Sequence, residues 1–154
     1  MLGFEIISIL EKDAKTQKYF LNVFANDQLP LTKIQRDRWL LVCNCCPAHM
    51  PGLHWIAIFK QDADTIEVFD SYGQTPATYN LEPFLESQRA KQIIYNTTRL
   101  QSLSSEVCGQ YCLFYAYWRC RGLSFKSILN DNWFSSDYVE NDKFVNNFYE
   151  VMIV

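Results

Sequence analysis

Four residues in this chain have the types and the order from which a cysteine-nucleophile site can be built: His54, Asp70, Gln101 and Cys108. A thiol attacks carbonyl carbon efficiently only as the thiolate, and a neighbouring imidazole can take its proton. A carboxylate bonded to the other ring nitrogen fixes the tautomer and stabilises the imidazolium. A side-chain amide can donate to the oxyanion that develops during acyl transfer. The set predicts covalent attack by Cys108 on a carbonyl group.

Cys108 and the following glycine stand where the pattern predicts that a long helix begins. The free N–H groups of a helix N-terminus stabilise a thiolate, whereas a nearby carboxylate opposes it. We therefore expect Glu106 to face solvent. Gln101 precedes Cys108 by seven positions, and the serines between them predict a loop that folds back. Ser104 or Ser105 is a suitable cap for the helix.

His54 precedes an apolar strand predicted at residues 55–59, and Asp70 follows another predicted at residues 65–69. The polar turn between the two strands indicates a hairpin. In a hairpin the start of the first strand neighbours the end of the second, so we expect His54 and Asp70 to lie close together. Gln101 would form the oxyanion hole with the backbone N–H of Cys108.

Each of these residues also has an ordinary structural interpretation. A free cysteine is most often a small buried apolar residue, and Cys112 and Cys120, inside the predicted helix, fit that role. Asp70 alone could be a turn residue at a strand end, and a single histidine is more often structural or on the surface. The catalytic interpretation therefore depends on the four residues occurring together, since no one of them establishes it.

Cys43, Cys45, Cys46 and His49 form a second cluster of chemically reactive types. Structural zinc sites usually take four ligands from two separated knuckles. All candidates here fall within seven residues, and no second knuckle follows. We expect buried thiols, no metal and no other cofactor.

The pattern of apolar residues predicts an α+β domain that spans residues 1–154. A small mixed central sheet would be flanked by helices, with the nucleophile at the N-terminus of a long buried helix. Helices are predicted at residues 2–12, 81–88, 107–121 and 138–152, and strands at residues 39–45, 55–59, 65–69 and 93–96. Residues 19–24 could be a strand or extended chain. In the last helix the expected apolar positions are Val139, Phe144, Val145, Phe148 and Val151.

Composition limits the choice of partners and compartment. Lys plus Arg number 14 and Asp plus Glu number 17, so the formal net charge is -3, which disfavours nucleic acid as the main ligand. No apolar run is long enough to span a membrane, and the N-terminal residues lack the features of a signal peptide. We expect a soluble monomer in a reducing intracellular compartment, with free thiols.

Three segments resemble the adenovirus-type endopeptidases (adenain) and their relatives in viruses and virus-like mobile elements. They are Leu53-His54-Trp55, the strand end Val68-Phe69-Asp70-Ser71-Tyr72-Gly73, and the block from Gln101 to Cys112 that contains Cys108-Gly109. The stretch Asn22 to Pro30 also resembles the family's early substrate-groove segment. The acidic residue is a glutamate in adenain itself, and the interval between Asp70 and Gln101 is shorter than in adenain.

The resemblance implies a fold related to the SUMO proteases and a cysteine endopeptidase that hydrolyses peptide bonds after small residues such as glycine. It further implies maturation of viral capsid and core precursors, and hence a location in the virion and in the host nucleus or cytoplasm. A SUMO- or ubiquitin-like-protein isopeptidase is the alternative, since it would use the same four residues. A binding module that retains the motif is a third interpretation. Whether an activating peptide is required remains open, and we expect DNA binding to be weak or absent.

Overall fold

The computed structural model describes residues 1–46, 54–130 and 132–154. Its strands are β1 (Phe20–Ala25), β2 (Trp39–Asn44), β3 (Trp55–Lys60), β4 (Thr65–Phe69) and β5 (Gln92–Tyr95). Its α-helices are α1 (Gly3–Lys12), α2 (Glu82–Ser87), α3 (Cys108–Arg119), α4 (Phe125–Asn130) and α5 (Tyr138–Met152). Short 3-10 helices occupy Asn26–Gln28 and Pro76–Tyr79. The sequence pattern did not predict α4 or the second 3-10 helix, both of which are at most six residues long.

The five strands form one mixed sheet in the order β1-β2-β3-β4-β5. The outer pairs, β1 with β2 and β4 with β5, are parallel, whereas β2, β3 and β4 pair antiparallel. The predicted α+β class with a small mixed sheet is confirmed. The β3–β4 hairpin is also confirmed, with Ala57 opposite Phe69 and Lys60 opposite Ile66.

Successive side chains of the central strands point to opposite faces of the sheet, so each face carries its own apolar core. Leu40 and Val42 of β2 pack towards α1, α3, α4 and α5, whereas Leu41 and Cys43 pack towards α2. Both faces are covered, so β2, β3 and β4 are buried almost throughout. Helix α3 lies in the thicker layer, where the side chains of Tyr111 and Tyr115 are fully buried.

Two predictions about the helices are wrong. Helix α5 has the predicted bounds, but three of its predicted apolar positions are exposed: Val139 by 56%, Phe144 by 37% and Val151 by 76%. The residues that it buries are Asn141, Asp142 and Val145. Neither Ser104 nor Ser105 caps α3, since the N-cap residue is Val107 and it makes no side-chain cap bond. No described helix is both long and apolar enough to cross a membrane.

Residues 47–53, which include His49 of the cysteine cluster and the loop that the prolines and glycine predict at residues 47–52, lie outside the described residues. Among the residues that are described, no group of three or more His, Cys, Asp or Glu side chains is arranged to hold a metal ion. All six cysteines carry free thiols; Cys43 is fully buried and Cys45 is half-buried.

Candidate active site

The β3–β4 hairpin brings His54 and Asp70 together, as the sequence predicted. His54 directly precedes β3 and Asp70 directly follows β4, so both lie at the same end of the hairpin. The distance from His54 Nε2 to Asp70 Oδ1 is 2.5 Å, and both residues are buried. The backbone of His54 is fixed by the neighbouring strand, since the N–H of Cys45 donates to the His54 carbonyl at 2.9 Å.

Asp70 is held by several donors. Its Oδ1 accepts from the N–H of Tyr72 at 3.0 Å, and its Oδ2 accepts from the N–H of Gln74 at 2.9 Å and from the Tyr79 hydroxyl at 2.8 Å. Burial raises the pKa of Asp70, but the bond to His54 and the backbone N–H groups outweigh it and hold the pKa below its usual value. Asp70 is therefore a carboxylate at neutral pH, which lets it bind an imidazolium.

The turn that presents these donors depends on a glycine. Gly73 has φ of +69°, and a Cβ there would lie 2.8 Å from the carbonyl carbon of Thr98 and 2.9 Å from the N of Arg99. A side chain would therefore collide with backbone as well as strain the turn. The Asn96 side chain completes the support, because it accepts from the N–H of Asp70 and donates to the Asp70 carbonyl.

Aromatic rings enclose the imidazole. The Tyr72 ring is stacked on His54 with centroids 4.4 Å apart and planes at 23°, and the Tyr79 ring lies 5.6 Å away. These contacts restrict rotation of the imidazole. Tyr79 and Asn96 could not be predicted from the sequence, because neither belongs to a local motif with Asp70, and only the fold of the connecting segment brings them to it.

Cys108 is the first residue of α3, as predicted, and it is 8% exposed. Burial raises the pKa of its thiol, but His54 and the backbone N–H groups of Trp55 and Gly109 outweigh burial and lower the pKa. Glu106 is exposed, as expected, so it does not add a carboxylate to the interior of the site. The helix start therefore favours a thiolate.

The imidazole is bonded to Asp70, and its pKa also responds to Cys108. His54 Nε2 bonds Asp70, whereas Nδ1 is buried and has no hydrogen-bond partner in the described parts of the chain. The Cys108 thiol nevertheless interacts with the ring. Burial lowers the pKa of His54, but Asp70 and Cys108 outweigh this effect and raise the pKa to about 9. The raised pKa of His54 and the lowered pKa of Cys108 together favour a thiolate–imidazolium pair.

Gln101 is fully buried in the loop before α3. Its Oε1 accepts from the Ser71 hydroxyl at 2.6 Å, and its Nε2 donates to the carbonyl and the hydroxyl of Ser105 at 3.0 and 3.1 Å. Ser71 also accepts from the N–H groups of Leu100 and Gln101, so it links the Asp70 turn to this loop. Both amide protons of Gln101 are engaged with Ser105, so an oxyanion would have to displace one of these bonds.

The residue after the nucleophile packs against Met1. A Cβ at position 109 would lie 2.8 Å from the sulfur of Met1, and the indole of Trp55 donates to the Met1 carbonyl at 3.1 Å. Met1 therefore packs beside both Gly109 and Trp55, which directly follow Cys108 and His54. A side chain at position 109 would have to displace the Met1 side chain.

Comparison with known proteins identifies the fold. No protein-family model and no curated protein sequence matches the chain. The crystal structure of ASFV pS273R protease matches with a TM-score of 0.59 and 20% identity, over 94% of this chain and 65% of that chain. The central domain of the uncharacterized Lpg1148 protein from Legionella pneumophila matches with a TM-score of 0.55 and 13% identity, over 99% of this chain and 97% of that domain. The chain therefore shares its fold with the ASFV pS273R protease, of whose length it spans 65%.

Proposed function

We propose that this chain is a cysteine endopeptidase, with Cys108 as nucleophile, His54 as general base and acid, and Asp70 as the residue that orients the imidazole. The observation that carries the proposal is the buried His54–Asp70 pair at 2.5 Å, whose ring also interacts with the thiol at the start of α3. The fold shared with a viral protease adds support.

In the proposed reaction the Cys108 thiolate attacks the carbonyl carbon of a peptide bond. The carbonyl π electrons move to oxygen, and the backbone N–H of Cys108 and the amide of Gln101 stabilise the oxyanion. Collapse of this intermediate breaks the C–N bond, and the leaving amine takes the proton from Nδ1 of His54. Neutral His54 then takes a proton from water, the hydroxide oxygen attacks the thioester, and the Cys108 thiolate leaves.

For the substrate we propose polypeptides cleaved after small residues such as glycine, in the maturation of viral structural precursors. The support is the resemblance of the His54, Asp70 and Gln101–Cys112 segments to adenovirus-type endopeptidases, together with the fold of ASFV pS273R protease. An activating peptide remains a prediction from the same resemblance, and a monomeric state remains a prediction from the sequence.

The test combines hydrolysis with thiol labelling. We expect the purified chain to cleave peptides that contain Gly-Gly, and iodoacetamide to alkylate Cys108 faster than a free cysteine at pH 6. Cys108→Ala should abolish both hydrolysis and this alkylation. Cys112→Ala, one turn later on α3, should lower the stability of the fold and leave the rate of hydrolysis unchanged. If Cys108→Ala still cleaves, the assignment is wrong.

Substrate choice separates the proposal from the isopeptidase alternative. A peptide panel and SUMO or ubiquitin carrying a C-terminal tag are incubated with the chain under identical conditions. Cleavage of the peptides supports the endopeptidase. Release of the tag without any peptide cleavage would favour the isopeptidase.

A further inference from the structure

The loop that carries Gln101 is attached to helix α5, a contact that the proposed reaction does not require by itself. Asn141 and Asp142 are neighbours on α5, with exposures of 3% and 9%. The side-chain amide of Asn141 donates to the Leu100 carbonyl at 3.0 Å. Both carboxylate oxygens of Asp142 lie 3.4 Å from the N–H of Ser102. The two residues that flank Gln101 are thus both bonded to α5.

A third residue joins this attachment to the helix of the nucleophile. Tyr111 lies three positions after Cys108 on α3, and its hydroxyl is 2.8 Å from Asp142 Oδ1 and 3.1 Å from the Leu100 carbonyl. Burial and Asp142 raise the pKa of Tyr111, so the hydroxyl keeps the proton that it donates. Asp142 consequently connects the Gln101 loop to α3, on which Cys108 is the first residue.

These bonds complement those on the opposite side of Gln101. Ser71 binds the backbone and the side chain of Gln101 from the Asp70 turn. Asn141 is itself fixed, because it bonds both the N–H and the carbonyl of Ser135 before α5. The loop is therefore held between the Asp70 turn and α5, and a displacement of either would move the Gln101 amide relative to Cys108.

We propose that Asp142, acting with Asn141 and Tyr111, is a positioning residue that sets the place of the Gln101 amide relative to Cys108. The proposal rests on the proposed function, since it assigns Asp142 to the oxyanion-binding step of that reaction. A displacement of about 1 Å in a group that contacts the transition state costs on the order of a hundred-fold in rate. Losing the Asp142 anchor should therefore affect turnover more than substrate binding.

The decisive variant is Asp142→Ala, with Glu140→Ala as the matched control. Glu140 lies on the same helix and is 61% exposed, where it pairs with Lys143. We expect Asp142→Ala to lower kcat by about ten- to a hundred-fold with KM unchanged. Alkylation of Cys108 by iodoacetamide should keep the wild-type rate, because it develops no oxyanion. Glu140→Ala should behave as wild type.

Two further variants separate positioning from a general loss of structure. Asp142→Asn should recover most of kcat, because its remaining carbonyl oxygen can accept from both Tyr111 and Ser102. Tyr111→Phe keeps the buried ring and removes only the hydroxyl, so it should lower kcat in the same direction. If Asp142→Ala slows alkylation as much as hydrolysis, or if Asp142→Asn restores nothing, the residue is structural and the proposal is refuted.

An amide-exchange measurement decides the anchoring independently of catalysis. In Asp142→Ala we expect the N–H of Ser102 to exchange faster with solvent, and exchange within α3 to stay as in Glu140→Ala. Unchanged exchange at Ser102 would refute the anchor even in an active enzyme. If the wild-type chain neither hydrolyses peptides nor shows a reactive Cys108, the proposed function fails, whereas faster Ser102 exchange would still establish the anchor.

Discussion

The substitution Asp70→Asn tests the charge arrangement of the site most directly. Burial alone would lower the pKa of His54, but Asp70 and Cys108 raise it from 6.5 to about 9. At about 1.4 kcal/mol per pKa unit, this corresponds to roughly 3 kcal/mol in favour of the imidazolium. Without Asp70, burial should return this pKa to 6.5 or below. The imidazolium fraction at pH 7, and with it kcat/KM, should then fall by at least about four-fold.

An asparagine cannot replace all four bonds of the carboxylate. Only one of its two terminal atoms accepts, whereas Asp70 accepts from His54 and Tyr72 through Oδ1 and from Gln74 and Tyr79 through Oδ2. A part-buried N–H, of Tyr72 or Gln74, therefore loses its acceptor, which costs at most about 1–3 kcal/mol. The loss of activity should still be smaller than in His54→Ala, because the amide oxygen can hold the ring.

The stability of the pair depends on pH in a defined direction. The raised pKa of His54 adds stability that is complete below pH 6.5 and is lost as pH rises through about 9. The lowered pKa of Asp70 adds stability that is complete above its ordinary 3.8 and is lost as pH falls through the folded-state value. The stability difference between wild type and Asp70→Asn should therefore be largest between pH 3.8 and 6.5.

The measurements are an NMR titration of His54, kcat/KM against pH, and denaturant unfolding. The matched control is Asp62→Asn, which removes the same charge from the exposed turn of the hairpin, where Asp62 accepts two backbone bonds. We expect the titration midpoint of His54 to fall well below 9 in Asp70→Asn, and to stay at about 9 in Asp62→Asn. Equal midpoints in the two variants would refute the assigned role of Asp70.

Three other predictions follow from contacts in and around the site. Gln101→Ala should lower kcat by about a hundred-fold while Cys108 alkylation is unchanged, and an unchanged kcat would place the oxyanion donor elsewhere. Arg119→Met should lower the free energy of unfolding by about 3–5 kcal/mol, because it leaves Glu67 buried without its counter-charge. Adding Glu67→Gln should recover part of this loss, and a cost near zero for the single variant would contradict the reasoning. Duplex DNA should stimulate hydrolysis weakly and only at low salt, since Arg119 and Arg121 are already paired with carboxylates. Strong stimulation at physiological salt would show a basic surface that these pairs do not prevent.

Local patterns in the sequence were enough to predict most of the secondary structure. Strand β4 and helix α5 have their predicted bounds, because alternation and helical periodicity are read within one element. Short elements were predicted unevenly, because few residues give only a weak period: α4 and the 3-10 helix at Pro76–Tyr79 were not predicted, whereas α2, as long as α4, was. Hairpin connectivity likewise predicted the proximity of His54 and Asp70, since adjacent strands pair through a short turn.

The orientation of α5 could not be obtained in the same way. Its sequence offers Val139 and Val151 as core positions, yet both are exposed, whereas Asn141 and Asp142 are buried. Polar residues are buried here because the Gln101 loop supplies their hydrogen-bond partners, which outweigh the apolar pattern of the helix. A helix pattern alone contains no information about such a distant partner.

By itself, the sequence determined which residues could perform thiol chemistry, their order along the chain and the elements that present them. Only the tertiary structure decided what surrounds them: Tyr79 and Asn96 on Asp70, Ser105 on Gln101, and Asp142 on the Gln101 loop. The physical reason is the separation along the sequence over which each effect acts. Helix and strand patterns arise from neighbours a few residues apart, whereas buried polar groups must find partners wherever the packed loops place them.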